Sequence, residues 1–429
     1  MKSYSLQHIV DHARKHSPFY GHLFAGFGAS VTSVEDLPIT DQSAYWQANS
    51  LVDNRLLTGK LEDGIVFKSG GTTGNPKYSA FSREEWNSFT SVFGAGMAAG
   101  GLGQGERVAN LFYGGGLYAS FLFIHGSLEK SGASVVEFPL GGASDFDEIL
   151  RLTQEFEVTT WAGVPTLLLS LIKQIKERSL KPADLPLKKL LYGGEAIYPD
   201  QVAFIRQAFP DMLIRSIGYA SVDAGLLGYA DFRDPDGIHR VFRDATVVEI
   251  VDDATGKPIQ SPGVPGRLIV TNLTRLLMPV IRYPAGDCAE WVDPPDFPDG
   301  DKTGRRFKLT GRSDEAARVG PVSIYYGDVE KVLHLVLGNR RLFGFQMILS
   351  HDKQCDHLSL RVAADIAQQD TDLISKNVLL KLFHERKMLE QWMDQGKVGP
   401  VVIEWVSLDH LERNERTGKL RRIIDRRLK

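Results

Sequence analysis

The chain has 429 residues, more than one compact core holds, which suits two or three domains. Its apolar content of 43% and charged content of 24% are ordinary for a soluble globular protein, and a net charge of -3 argues against a nucleic-acid binder working by bulk electrostatics. The two cysteines, Cys288 and Cys355, are too few for a disulfide framework or a zinc–thiolate site, which fits a reducing cytoplasm.

The N-terminal "MKSYSLQHIVDHARKHS" has no apolar core followed by a cleavage site, so it does not read as a signal peptide. His8, His12 and His16 share one helical face, a spacing that zinc sites can use. No carboxylate or cysteine cluster accompanies them, so they read as a helix surface.

Ile65–Phe67 is a short apolar run leading into "KSGGTTGNPK", and "YSAF" follows, so the glycine loop joins two strands. It is not a Walker loop: Pro76 precedes Lys77 and Tyr78 follows it, and no helix starts directly after. A phosphate would have to be held by loop amides, hydroxyls and Lys77. Ser82 and Glu85 have capping-box spacing, and Trp86, Phe89, Phe93 and Met97 recur at helical spacing, so a helix begins near Arg83.

Val108–Leu128 carries no Asp, Glu, Lys or Arg and is long enough to span a membrane. Gly114, Gly115 and Gly116 interrupt it, so a strand, a glycine loop and a buried helix are expected instead. The next segments alternate. "RVANLF", "ASVVEF", "VTTWAG", "KKLLYGGE" and "MLIRSIGY" read as strands, with helices between them, two starting near Pro165 and Pro199. Alternation of this kind implies layered α/β architecture. After about Asp236 the chain turns β-rich. "DPPDFPDGDKTG" reads as a loop, and a smaller unit follows with a helix over "DVEKVLHLVL", strands over "FGFQMILS", "LSLRVAAD" and "PVVIEWVSL", and one helix near Leu373–Trp392. Over "RRIIDRRLK" and the leucine before it, Leu420, Ile423, Ile424 and Leu428 fit one helical face, leaving the arginines solvated. A boundary near Gly311–Asp314 divides the chain into a large domain, 1–311, and a small one, 312–429.

Four strand-end features accompany the glycine loop: "LYGGEAIYP" with Glu195, "SIGYASVDAG" with Tyr219 and Asp223, "IRYPAGD" with Asp287, and "NERTGKLRR" with Lys419. Each alone is a common turn, but ligand sites in open α/β sheets lie at the carboxyl ends of strands.

In this order the motifs resemble the adenylate-forming superfamily of acyl-CoA synthetases, adenylation domains and luciferases, most nearly its phenylacetate-CoA ligases. "HARKHSPFY", "KSGGTTGNPK", "LIVTNLTRLLMPVIRYPAGD", "TGRSDEAARVG" and "RTGKLRRIIDRR" carry the resemblance over nearly the whole length. It implies a large layered α/β N-terminal domain and a small mobile α+β C-terminal lid. Ser69, Gly70, Gly71, Thr72, Thr73, Gly74 and Lys77 would then hold the β- and γ-phosphates of ATP. Gly193, Gly194, Glu195, Tyr219, Ala220 and Ser221 would line the adenine. Asp287 and Arg312 would hold the ribose, and Asp223 a magnesium ion. Asp314 would be the hinge, and Lys419 would reach the carboxylate and α-phosphate.

The implied activity is ATP-dependent conversion of a carboxylic acid to an acyl-adenylate, then transfer to a thiol, coenzyme A. An adenylating enzyme serving a carrier or reductase is the alternative within the class. A non-catalytic nucleotide-binding protein lies outside it, and retention of Lys77, Asp287 and Lys419 argues against that. Neither nucleic acid nor a membrane is an expected partner. An aromatic acid is suggested by Phe112, Tyr113, Tyr118 and Trp161 beside Gly114 and Gly163, though such aromatics equally suit a core. Three departures stand out: Asp223 is one methylene shorter than the family's glutamate, Pro284-Ala285 replaces an Arg-Thr pair, and "PVSIYYGDVE" diverges.

Overall fold

The computed structural model describes the chain apart from residues 1, 29, 51–52, 70–76, 196, 198, 253–254, 296–303, 313–315, 339, 341, 413–419 and 428–429, and apart from the side chains of 69, 200, 312, 316, 323 and 409. Contacts divide it into two compact units, the first within residues 1–309 and the second chiefly Thr310–Lys429.

The first unit opens with helices α1 (Leu6–His16), α2 (Pro18–Leu23) and α3 (Gln42–Ala48). Ser5 caps α1 by accepting from the His8 amide, and Ile9, Val10 and Ala13 turn inward. On the other face, Tyr4, His8, His12 and His16 form a ladder of rings, with centroids 5.0, 6.3 and 4.8 Å apart in turn. Strands β1 (Gly64–Ser69) and β2 (Lys77–Ser82) form an antiparallel hairpin in which Ser69 faces Lys77. The glycine loop therefore joins two strands, as its flanks suggested.

Helix α4 (Arg83–Ala99) follows, with both bonds of the Ser82–Glu85 capping box formed. Its buried face packs aromatic on aromatic: Phe89 lies 5.3 Å from Phe81 and 4.5 Å from Phe123, centroid to centroid.

Next come β3 (Arg107–Asn110), α5 (Ser120–Glu129), β4 (Val136–Phe138), α6 (Phe146–Glu155), β5 (Thr160–Gly163), α7 (Pro165–Glu177), β6 (Lys189–Tyr192), α8 (Pro199–Ala208) and β7 (Leu213–Ser216). The five strands are all parallel, in the order β4-β3-β5-β6-β7. The charge-free stretch Val108–Leu128 is thus strand, loop and helix, and no helix among the described residues is long and apolar enough to cross a membrane. "MLIRSIGY" is not one strand. β7 ends at Ser216, and β8 (Tyr219–Ser221) belongs to another sheet. Gly218, at φ 117, makes the turn between them, a backbone angle that favours glycine.

That second sheet has seven strands: β8, β9 (Gly225–Tyr229), β10 (Ile238–Val241), β11 (Thr246–Val251), β12 (Gly266–Asn272), β13 (Tyr283–Trp291) and β14 (Arg306–Arg312), in the order β11-β12-β13-β14-β10-β9-β8. One core lies around the parallel sheet, centred on residues such as Val108, Trp161 and Leu190. The other joins the seven-stranded sheet to α1–α3 through Ile9, Tyr20, Tyr45, Val270 and Tyr283.

The second unit contains β15 (Ala316–Val319), β16 (Val322–Tyr325), α9 (Tyr326–Leu337), β17 (Leu342–Asp352), β18 (Cys355–Ala364), α10 (Thr371–Glu385), α11 (Lys387–Asp394), β19 (Val402–Trp405) and β20 (Ile423–Asp425). Two sequence expectations are corrected here. Leu373–Trp392 is two helices, because Arg386 leaves helical geometry (φ -130, ψ 60) and buries its guanidinium against Asp328. Residues 421–427 of "RRIIDRRLK" are not helical: Ile423 and Ile424, both buried, form an edge strand parallel to β17, with Met347 opposite Ile423, and Leu428 lies outside the described residues. Two adjacent β-branched residues that are both buried suit a strand covered on two faces better than a helix stripe.

Candidate active site

The order of the parallel sheet reverses between β3 and β5, since β4 lies on one side of β3 and β5 to β7 on the other. At such a switch point the loops beyond the carboxyl ends diverge and leave a crevice, where open α/β sheets bind ligands. The residues that emerge there are Phe112, Tyr113 and Gly114 after β3, Gly163 closing β5, and Gly193, Gly194 and Glu195 after β6.

Each glycine of the β6 turn has its own reason. A Cβ on Gly193 would lie 2.4 Å from the Ile217 Cδ1, and Gly194 has φ 80. The turn sends Glu195 back to α7, where its Oε2 accepts from the Thr166 amide at 3.1 Å and from the Thr166 hydroxyl. Glu195 therefore caps the helix that follows β5. Its charge also reaches Tyr113, whose phenol is pushed up to about 12, first by burial and then by Glu195 and Tyr118. Tyr113, Tyr118 and Glu195 thus share one electrostatic neighbourhood.

Gly114 and Tyr118 are exposed, whereas Phe112 is buried. Trp161 is corrected from pocket to core. It has 0% exposure and donates its indole N–H to the Thr153 hydroxyl at 3.0 Å, leaving no face for a ligand.

Tyr219 opens β8 and packs against His239 at 5.9 Å and Phe307 at 6.2 Å, centroid to centroid. Ala220 and Ser221 follow it, half-buried, and the Ser221 hydroxyl accepts from the Ala224 amide at 2.9 Å. That bond closes the turn carrying Asp223. Gly225 completes the turn at φ 86, where a Cβ would strike the Asn272 amide nitrogen at 2.3 Å. The Asp223 carbonyl also accepts from Arg275, a buried guanidinium 4.0 Å over the Phe81 ring and bonded to the Ala80 carbonyl at 2.9 Å. Lys77 begins β2, with its Nζ 5.4 Å from the Trp46 ring centroid. Asp287 is buried in the middle of β13.

Residues 70–74, Asp314 and Lys419 lie outside the described residues, as do the side chains of Ser69 and Arg312. Sequence reasoning missed His239, Arg275 and the Asn110–Glu137 pair described below. Of these, only Asn110 carried a signal, as a buried-strand residue directly before a glycine loop.

His239 yields a test of the aromatic platform. Burial pushes its pKa from 6.5 down to about 4, and it stacks on Phe307 at 5.7 Å. The fold holds it neutral, while the unfolded chain protonates it near pH 6.5. Stability is therefore full above that pH and falls as pH drops toward 4, by about 3 kcal/mol at 1.36 kcal/mol per unit. Melting curves between pH 7 and pH 4.5 should show His239→Phe losing less Tm than the parent. Equal losses would show that His239 is not held neutral.

Residues 64–275 match the family described as AMP-binding enzyme. That segment runs from β1 past the β3/β5 reversal to Arg275, and its motifs resemble those of the adenylate-forming superfamily. The whole chain is similar to the phenylacetate-coenzyme A ligase of Aromatoleum evansii, at 26% identity over 99% of this chain and 93% of that protein. The phenylacetate-coenzyme A ligase of Pseudomonas putida is also 26% identical, over 76% of this chain and 72% of that one. Among solved structures, 2-hydroxyisobutyryl-CoA ligase in complex with 2-HIB-AMP and CoA shares the fold, with TM-score 0.73, 20% identity, and coverage of 98% of this chain and 88% of that chain.

Proposed function

We propose that the protein activates an aromatic carboxylic acid of the arylacetate kind with ATP and transfers the acyl group to coenzyme A. The observation that carries this reading is the reversal of strand order between β3 and β5, with Tyr113 after β3 and Glu195 after β6 in one electrostatic neighbourhood. The names of its relatives supply the acid and the thiol.

In the first half-reaction a carboxylate oxygen attacks the α-phosphorus. The bond from that phosphorus to the bridging oxygen breaks, and pyrophosphate leaves with its electron pair. In the second, the thiol sulfur attacks the acyl carbonyl, AMP leaves, and the thiol proton passes to solvent. Ser69–Gly74 and Lys77 hold the departing phosphates. Gly193–Glu195 and Tyr219–Ser221 line the adenine, and Asp287 accepts from both ribose hydroxyls with Arg312 nearby. Tyr113, Gly114, Tyr118 and Gly163 wall the acid. Lys419 neutralises charge gathering between carboxylate and α-phosphate, and Asp314 is the hinge of the lid formed by 312–429.

Among the described residues no group of three or more His, Cys, Asp or Glu is arranged to hold a metal ion. Half-buried Asp223, on its closed turn, fits a magnesium ion carried mainly by nucleotide phosphates and water, with a single protein carboxylate. When bound, the ion offsets phosphate charge.

The test is product analysis with phenylacetate, ATP and coenzyme A. Phenylacetyl-CoA, AMP and pyrophosphate should form in equal amounts. Formation of ADP, or adenylate without thioester, would overturn the ligase reading in its first or second half.

A further inference from the structure

The loop joining β3 to α5 supplies Tyr113, Gly114 and Tyr118 to the proposed acid site, and most of it is exposed. Residues 114–118 are all exposed, and three carry positive φ: Gly115 at 90, Gly116 at 57 and Leu117 at 68. Such a loop has few apolar contacts to hold it, so polar bonds must set its shape.

Those bonds converge on Asn110, which has 0% exposure at the end of β3. Its Oδ1 accepts from the Phe112 amide at 3.2 Å, and its Nδ2 donates to the Phe121 carbonyl at 3.2 Å. One side chain thereby grips both ends of the loop. Nδ2 also donates to Glu137 Oε1 at 2.8 Å, and the other oxygen of Glu137 lies 2.7 Å from His125 Nδ1. Glu137 sits on β4 and His125 on α5, so the carboxylate is fixed from both sides and in turn fixes the amide. Inside the loop, the Phe121 amide donates to the Tyr113 carbonyl at 3.0 Å, and the Lys68 amide donates to the Leu117 carbonyl at 2.9 Å. The last bond ties the loop to β1, the strand that enters the glycine loop.

We propose that Asn110, Glu137 and His125 form a staple that shapes the loop Leu111–Phe121 and thereby sets the affinity for the acid, Glu137 acting as a positioning residue rather than a catalytic one. The acid part rests on the functional reading above, whereas the staple itself does not. A purely structural role would tie β4 to α5 without touching the loop. The two roles are separable, because Glu137→Gln keeps an acceptor for Asn110 and gains an N–H for His125 Nδ1, whereas Glu137→Ala keeps neither.

The experiment pairs hydrogen exchange with kinetics on the full chain. In Glu137→Ala, amide protection in peptides covering 111–121 should fall about tenfold, the scale expected when a hydrogen bond to a charged group is lost, while β5 keeps its protection. Glu137→Gln should restore the parent pattern. In phenylacetate-dependent ATP–pyrophosphate exchange, the KM for phenylacetate should rise about tenfold in Glu137→Ala, with the KM for ATP within about twofold. Unchanged loop protection would overturn the staple, as would loss spread equally through β5, or a Gln variant as impaired as the Ala one. An equal rise in both KM values would overturn the positioning role. Tyr118→Ala, which alters the proposed wall directly, separates the two readings. If it leaves the phenylacetate KM unchanged, the pocket reading fails, while hydrogen exchange still decides the staple.

Discussion

Lys419→Ala is expected to lower carboxylate-dependent pyrophosphate exchange by about a hundred- to a thousandfold and to leave ATP binding near the parent level. The reason is where charge moves. As the carboxylate oxygen closes on the α-phosphorus, negative charge builds on the phosphoryl oxygens, and an ammonium aimed at them stabilises the transition state more than the ground state. Removing one preorganised contact of this kind costs roughly 2.7–4 kcal/mol. "RTGKLRR" supplies one lysine in this motif, Lys419, with arginines behind it. Arg421 and Arg426 pair with Glu412, and Arg427 pairs with Asp356 and Asp425, so these arginines are engaged within the second unit. Calorimetry with ATP and exchange assays on the same preparation check both halves of the expectation. Near-normal exchange in the variant would remove Lys419 from the chemistry.

Asp287→Ala is expected to weaken ATP binding by about ten- to a hundredfold while leaving the affinity for the acid close to the parent value. A carboxylate offers two oxygens to the two ribose hydroxyls, and a hydrogen bond to a charged group is worth about 1.5–3 kcal/mol. Asp287 is 9% exposed on β13, so the variant also removes buried side-chain volume. Melting temperature must therefore be measured first, and Asp287→Asn serves as the isosteric control. Equal ATP affinity in Asp287→Ala and parent, by calorimetry, would take Asp287 out of the ribose site.

Much of the fold was legible because its signals are local. The Ser82–Glu85 capping box and the aromatic periodicity of α4 can be read in one pass, as can the proline starts of α7 and α8. The failures share a different cause. "MLIRSIGY" reads as one apolar run, but its two halves pair with strands of different sheets, and only Gly218 marks the break. "RRIIDRRLK" has helical spacing, yet the open edge of β17 takes Ile423 and Ile424 as a strand, a tertiary choice that periodicity does not encode. Arg386 breaks a helix because Asp328, 58 residues earlier, awaits its guanidinium.

The site divides in the same way. The glycine turns could be found from composition, and their reasons, such as Ile217 beside Gly193, only from packing. Trp161 looked like a pocket wall because aromatics line both pockets and cores, and burial alone separates the two. Asn110 and Glu137 lie 27 residues apart on neighbouring strands, a pairing that no local pattern announces.

Whether this chain makes acyl-adenylates is decided by ATP–pyrophosphate exchange in the absence of coenzyme A, run across a panel of carboxylic acids that includes phenylacetate. Label should enter ATP only when an acid is present, with arylacetates above short aliphatic acids and with the signal lost in Lys419→Ala. Exchange that ignores the acid, or none with any member of the panel by a protein that still binds ATP, would contradict acyl-adenylate formation.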